Sequence, residues 1–63
     1  MVKVSYRKQE WQLDSGITLR EAVRKVGLKP ENMLGLRDGK LVPDDTILAD
    51  GEVIILVTIV SGG

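Results

Sequence analysis

One stretch near the end of this chain, Val53-Ile54-Ile55-Leu56-Val57-Thr58-Ile59, restricts the fold more than any other. Six of its seven residues are β-branched. Such side chains are stiff at the first torsion and fit a pleated surface better than a helix. The run neither alternates nor carries charge, as an edge strand would. It is therefore predicted to be a central strand, from about Glu52 to Ile59, with cover on both faces. The whole chain has only 63 residues. A domain of that size buries about 60% of the surface it exposes when unfolded. The other elements must flank this one strand and cover it.

The residues available for that task also limit the chemistry. There is no Cys and no His, which excludes disulfides, thiolate or imidazole metal sites and cysteine-bound iron–sulfur clusters. The usual general base and thiol nucleophile are missing too, and Ser5, Ser15 and Ser61 have no imidazole partner. The neighbours Asp44 and Asp45 fall far short of a hard-cation site and read as solvated turn residues. A self-contained enzyme is not expected, nor a bound cofactor or metal. Nine basic and nine acidic residues cancel without forming a block, so the footprint of a nucleic-acid binder is absent. No stretch is long enough to span a membrane and no signal-peptide pattern opens the chain, so a cytoplasmic location is expected.

Read in order, the chain is well punctuated. Val2, Val4 and Tyr6 alternate with Lys3, Ser5 and Arg7, and Trp11 and Leu13 repeat that period of two. A short Lys8-Gln9 link joins them as a hairpin. The period then changes. Thr18 and Glu21 have capping-box spacing, and Leu19, Ala22, Val23 and Val26 share one helical face. Gly27, Leu28 and Pro30 close that helix. Pro30-Glu31-Asn32 reads as a short helical turn, and Met33–Arg37 as a strand interrupted by Gly35. Asp38-Gly39 is a strong hairpin turn returning as Lys40-Leu41-Val42, which Pro43 stops. Ile47 and Leu48 are expected to cover the core, and Asp50-Gly51 turns into the last strand. Hairpin, helix, hairpin and central strand make a two-layer α+β domain, with one helix across one face of a mixed four- to five-stranded sheet.

The chain ends Val60-Ser61-Gly62-Gly63. By position alone this is either a frayed end or a reactive terminus. In order and spacing, several pieces resemble the ThiS/MoaD group of sulfur carriers and their archaeal small-modifier relatives, which are β-grasp, ubiquitin-like proteins. These are the Val2–Leu13 hairpin, the Thr18–Val26 helix with Gly27-Leu28, the Asp38-Gly39 turn before Val42-Pro43, Asp50-Gly51-Glu52, and the final Ser61-Gly62-Gly63. The resemblance implies a β-grasp domain over residues 1–59 and a flexible diglycine tail over 60–63.

It also implies that Gly63 supplies a carboxylate that an E1-like adenylyltransferase activates with ATP. A sulfurtransferase or cysteine desulfurase then provides sulfur for a thiocarboxylate, and a downstream enzyme accepts it for tRNA thiolation or thiamine thiazole synthesis. Gly62 gives clearance in a narrow channel, because glycine lacks a Cβ. Ser61 and Val60 set how the tail leaves the sheet. Four extended residues reach roughly 13 Å. Within the last strand, Ile54 and Leu56 are expected to face the helix. Leu36, Ile55, Val57 and Ile59 are then the candidate partner-docking face, against the plainer reading of ordinary strand packing. Ile55 departs from the polar residue common in relatives, so either the docking face is unusually apolar or the register differs. The two prolines that typically precede the MoaD tail are absent, with Thr58 and Ile59 in their place. The length and the segments Gly27-Leu28-Lys29-Pro30 and Leu41-Val42-Pro43-Asp44 look closest to compact tRNA-thiolation carriers and archaeal modifiers. Two alternatives remain: a ubiquitin-like modifier that forms isopeptide bonds through Gly63, and a plain β-grasp interaction module with an incidental tail.

Overall fold

A computed structural model describes residues 1–59. Strands β1 (Val2–Tyr6) and β2 (Gln9–Leu13) form the first hairpin, followed by helix α1 (Leu19–Lys25). A 3₁₀ turn at Pro30–Asn32 leads into β3 (Met33–Arg37) and β4 (Lys40–Val42), and β5 (Val53–Thr58) comes last. The five strands form one mixed sheet in the order β2-β1-β5-β3-β4. The apolar run is thus the middle strand, parallel to β1 and antiparallel to β3. One helix packed on such a sheet is the α+β β-grasp arrangement that the sequence pattern predicts.

Three local signals act as their chemistry requires. The Thr18 side chain accepts from the Glu21 amide at 3.2 Å, and the Glu21 carboxylate accepts from the Thr18 amide at 3.4 Å, a complete capping box. At the other end of α1, Gly27 takes φ +86°. Its amide donates to Arg24, and the Leu28 amide donates to Val23, each at 3.0 Å, the paired bonds of a Schellman ending. In the β3–β4 turn, Asp38 and Gly39 both have positive φ, 54° and 77°, the type I′ geometry whose twist matches the flanking strands.

The core is Val2, Val4, Leu19, Ala22, Val23, Leu48, Ile54 and Leu56, all buried. Ile54 and Leu56 face the helix, as their position in the alternation predicts. Gly35 lies beside Leu56 in the sheet, and a Cβ there would stand 2.5 Å from the nearer Leu19 methyl. Gly35 is therefore the notch into which Leu19 packs, which explains a glycine in mid-strand.

Three expectations need correction. First, the β1–β2 link is Arg7-Lys8, one residue earlier than predicted, because Tyr6 pairs with Gln9. Arg7 takes φ +56° to make the turn, with its guanidinium 5.3 Å from the centre of the Tyr6 ring. Second, Leu48 is fully buried but Ile47 is 59% exposed. The segment is extended there, with Ile47 bridging Thr18 and the Leu48 amide donating to Ile17. Adjacent residues of an extended segment point to opposite sides, so only one can reach the core. Third, β5 is covered on one face only: its burial alternates, and Val53 and Ile55 are about half exposed. The chain has one helix to lay on the sheet, and the far face receives none.

Before β5, Glu52 ties two elements together. Its carboxylate accepts from the Ala49 amide at 2.5 Å and from Arg37 at 2.6 Å. These bonds, the amide first, hold its pKa below the ordinary glutamate value. The N-terminal amine pairs with Asp50 nearby. No helix among the described residues is long and apolar enough to cross a membrane.

Two predictions follow from this packing. Gly35→Ala should lower stability by about 1–3 kcal/mol, because Leu19 must leave its rotamer or the strand must shift. In urea unfolding, Gly35→Ala combined with Leu19→Ala should cost less than the sum of the two single variants; strict additivity would exclude the notch. Glu52 has a lowered folded pKa, so its contribution is complete above the ordinary glutamate value and is lost as pH falls through the lowered one. Glu52→Gln should therefore be less stable at neutral pH and flatten the acid limb of stability against pH, measured by the urea midpoint.

Candidate functional site: the outer sheet face and the base of the tail

Because Ile54 and Leu56 point to the helix, Val53, Ile55 and Val57 point away from it. The antiparallel register sets Leu36 directly opposite Ile55, and Leu34 opposite Val57. One strand further out, Leu41 stands opposite Leu36 and is 65% exposed. The uncovered face is thus apolar over β5, β3 and β4. Over β1 and β2 it turns polar, with Lys3 and Ser5 backed by Glu10 and Gln12. The Lys3 ammonium and Glu10 carboxylate lie 2.8 Å apart across that half.

Of the predicted docking residues, Leu36, Ile55 and Val57 therefore share one face. The register is the expected one, which leaves the apolar Ile55 on this outer face. Ile59 lies one residue beyond β5 and is exposed. Leu34, Leu41 and Val53 were missed. Their signal was available for Leu34 and Leu41: once Gly35 faces the helix, Leu34 and Leu36 must face away, and Leu41 follows from the Asp38-Gly39 turn.

At the end of β5 the chain is held from both sides. The Tyr6 hydroxyl and the Thr58 hydroxyl share a 2.7 Å hydrogen bond, which ties the strand to β1. The Ile59 amide donates to the Asn32 carbonyl at 2.8 Å, adding a rung to the β3 side. Both contacts fix the position of the backbone at Thr58 and Ile59. The remaining predicted site residues, Val60, Ser61, Gly62 and Gly63, lie outside the described residues. Among the described residues no cluster of acidic side chains could hold a metal ion. The arrangement offers a contact face and an anchored exit.

A family model described as ThiS family matches residues 2–63 of the chain. The chain belongs to the ThiS family. Solved structures agree on the fold. An N-terminal ubiquitin-like domain determined in solution superposes with a TM-score of 0.69 at 19% identity, covering 98% of this chain and 76% of that one. A computationally designed protein based on human erythrocytic ubiquitin gives 0.63 at 19% identity, covering 98% and 94%. A ubiquitin-like protein from the hyperthermophilic archaeon Caldiarchaeum subterraneum gives 0.52 at 17% identity, covering 97% of each chain. This ThiS-family protein is accordingly a small β-grasp protein of the sulfur-carrier or ubiquitin-like kind.

Tyr6→Phe should cost about 0.5–1.5 kcal/mol, the usual net worth of one hydrogen bond. Tyr6→Phe with Thr58→Val should cost little more than either alone, and amide exchange of Ile59 should quicken in all three variants. Exchange unchanged from wild type would show that the hydroxyl pair does not hold the exit.

Proposed function

We propose that this protein is a sulfur carrier whose Gly63 carboxylate is the group other enzymes act upon. The observation that carries this reading is the ThiS-family match, which runs through the glycine pair to residue 63. The anchored end of β5 supports it, because a terminus that must reach a buried nucleotide needs a rigid base. In the proposed sequence, a carboxylate oxygen of Gly63 attacks the α-phosphate of ATP held by an E1-like adenylyltransferase. Pyrophosphate leaves and an acyl adenylate forms. A sulfur nucleophile, supplied as a persulfide by a sulfurtransferase or cysteine desulfurase, then displaces AMP. Reductive cleavage of the resulting acyl persulfide by a thiol leaves the thiocarboxylate, which passes its sulfur to an enzyme of tRNA thiolation or thiazole synthesis.

In this scheme the domain docks and the tail reacts. Gly62 and Gly63 carry no side chain to block the acyl carbon. The exposed Ile55, Leu34 and Leu41, with the half-buried Leu36 and Val57, supply the apolar contact, and Ser61 and Val60 lead from the Thr58 anchor into the partner's channel. The isopeptide alternative shares the adenylation step and differs in the nucleophile, a lysine amine in place of sulfur.

Intact-mass analysis after incubation with ATP, a sulfur donor and the source organism's adenylating enzyme should find one oxygen replaced by sulfur. A Gly63–lysine crosslink would favour the modifier, and neither product would sink both. Deleting Gly62 and Gly63 should abolish charging while leaving the thermal midpoint unchanged. A truncated protein that unfolds would make the tail structural.

A further inference from the structure

The chain's zero net charge conceals a separation along the β5 axis. Because β1 and β5 are parallel, with Tyr6 opposite Leu56, the Arg7-Lys8 turn stands at the end from which the tail departs. The Ile59–Asn32 bond brings the Pro30–Asn32 turn to that same end, with Lys29 just before it. Arg24 and Lys25 occupy the last turn of α1, which leads there. The carboxylates on this side are Glu31 and, after β4, Asp44 and Asp45, of which Asp44 is paired with Arg20; Glu10 is paired with Lys3. Asp14, Asp38, Asp50 and Glu52 gather at the opposite end, where β2 and β3 finish and β5 begins. At that end Arg37 is paired with Glu52 and the N-terminal amine with Asp50, and Lys40 adds a further cation, which leaves a modest acidic excess.

Neither Arg7 nor Lys8 has an acidic partner among the described residues. Arg7 also sits at positive φ, where a glycine would be less strained. A shallow depression lined by Ser5, Arg7, Ile55, Val57 and Thr58 joins this basic turn to the apolar face.

We propose that Arg7, Lys8 and Lys29 form a cationic corner that docks on an acidic protein surface around the mouth of the site receiving the tail. This rests on the carrier reading and names the chemistry of the partner's contact. The separated charges orient the incoming protein tail-first, and the apolar face then closes on the partner. A nucleic acid fits less well: its phosphates would leave the adjoining apolar face uncovered and would repel the acidic end. Charges at the rim of an interface act mainly on association and on its salt dependence.

The test is ATP–pyrophosphate exchange by the source organism's adenylating enzyme, with the full-length protein as substrate, from about 50 to about 500 mM salt. The wild-type KM should rise with salt. Arg7→Gly/Lys8→Glu, in which glycine suits the turn, should raise KM about tenfold at low salt, hold kcat and flatten the salt dependence. Lys29→Glu should act in the same direction, and Asp14→Lys at the far end should stay within about twofold of wild type. Thermal midpoints close to wild type would show that these shifts are not losses of folding. Unchanged KM in the Arg7/Lys8 and Lys29 variants, an equal effect from Asp14→Lys, or tight binding of bulk tRNA would overturn the proposal while leaving the carrier reading intact. No exchange with the wild-type protein would overturn the carrier reading and this inference together.

Discussion

Everything in this domain depends on burying Ile54 and Leu56 beneath one short helix. They are the inward residues of the middle strand of the sheet, and the buried residues Val2, Val4, Leu19, Ala22, Val23 and Leu48 surround them. With no cysteine, a chain of this size has no disulfide to replace that contact. The helix must therefore stop and start at defined places, which the capping box at Thr18 and the Schellman ending at Gly27 ensure. Close approach to the sheet is possible because Gly35 leaves room for Leu19. The helix ends, the notch and the central strand form one device for closing a small core.

Much of this was legible because the informative residues have few conformational options. Thr18 with Glu21, Gly27 before Leu28, and Asp38-Gly39 each specify a backbone geometry, and each element formed where those residues placed it. The misplaced features lacked such markers. Arg7-Lys8 has none of the usual turn residues, and its position emerges only from pairing Tyr6 with Gln9. Ile47 and Leu48 look equivalent in a list of apolar residues. A bridge to Thr18 and Ile17 decides which one faces inward, and that contact lies some thirty positions away in the sequence.

The apolar character of β5 was read correctly for its position and wrongly for its cover. An unbroken apolar run makes both faces of the strand apolar, but does not show whether the chain itself covers both. Here the chain covers one. The outer apolar face was half legible for the same reason: Leu36, Ile55 and Val57 follow from alternation along single strands, whereas adding Leu41 requires the register between strands. The Thr58–Tyr6 hydroxyl pair joins residues 52 positions apart, and no local pattern announces it.

The alternation of β5 has a consequence for how such a protein can change. Ile54 and Leu56 sit in the core, while Val53 and Ile55 are about half exposed on the outer face and Val57 is half-buried there. Substitutions at Val53, Ile55 or Val57 can therefore redraw the contact surface with small effect on folding, and the same holds for Leu34 and Leu41 on the neighbouring strands. Surface character and foldability are thus set on interleaved positions of one segment, so the outer face can vary without first rebuilding the core.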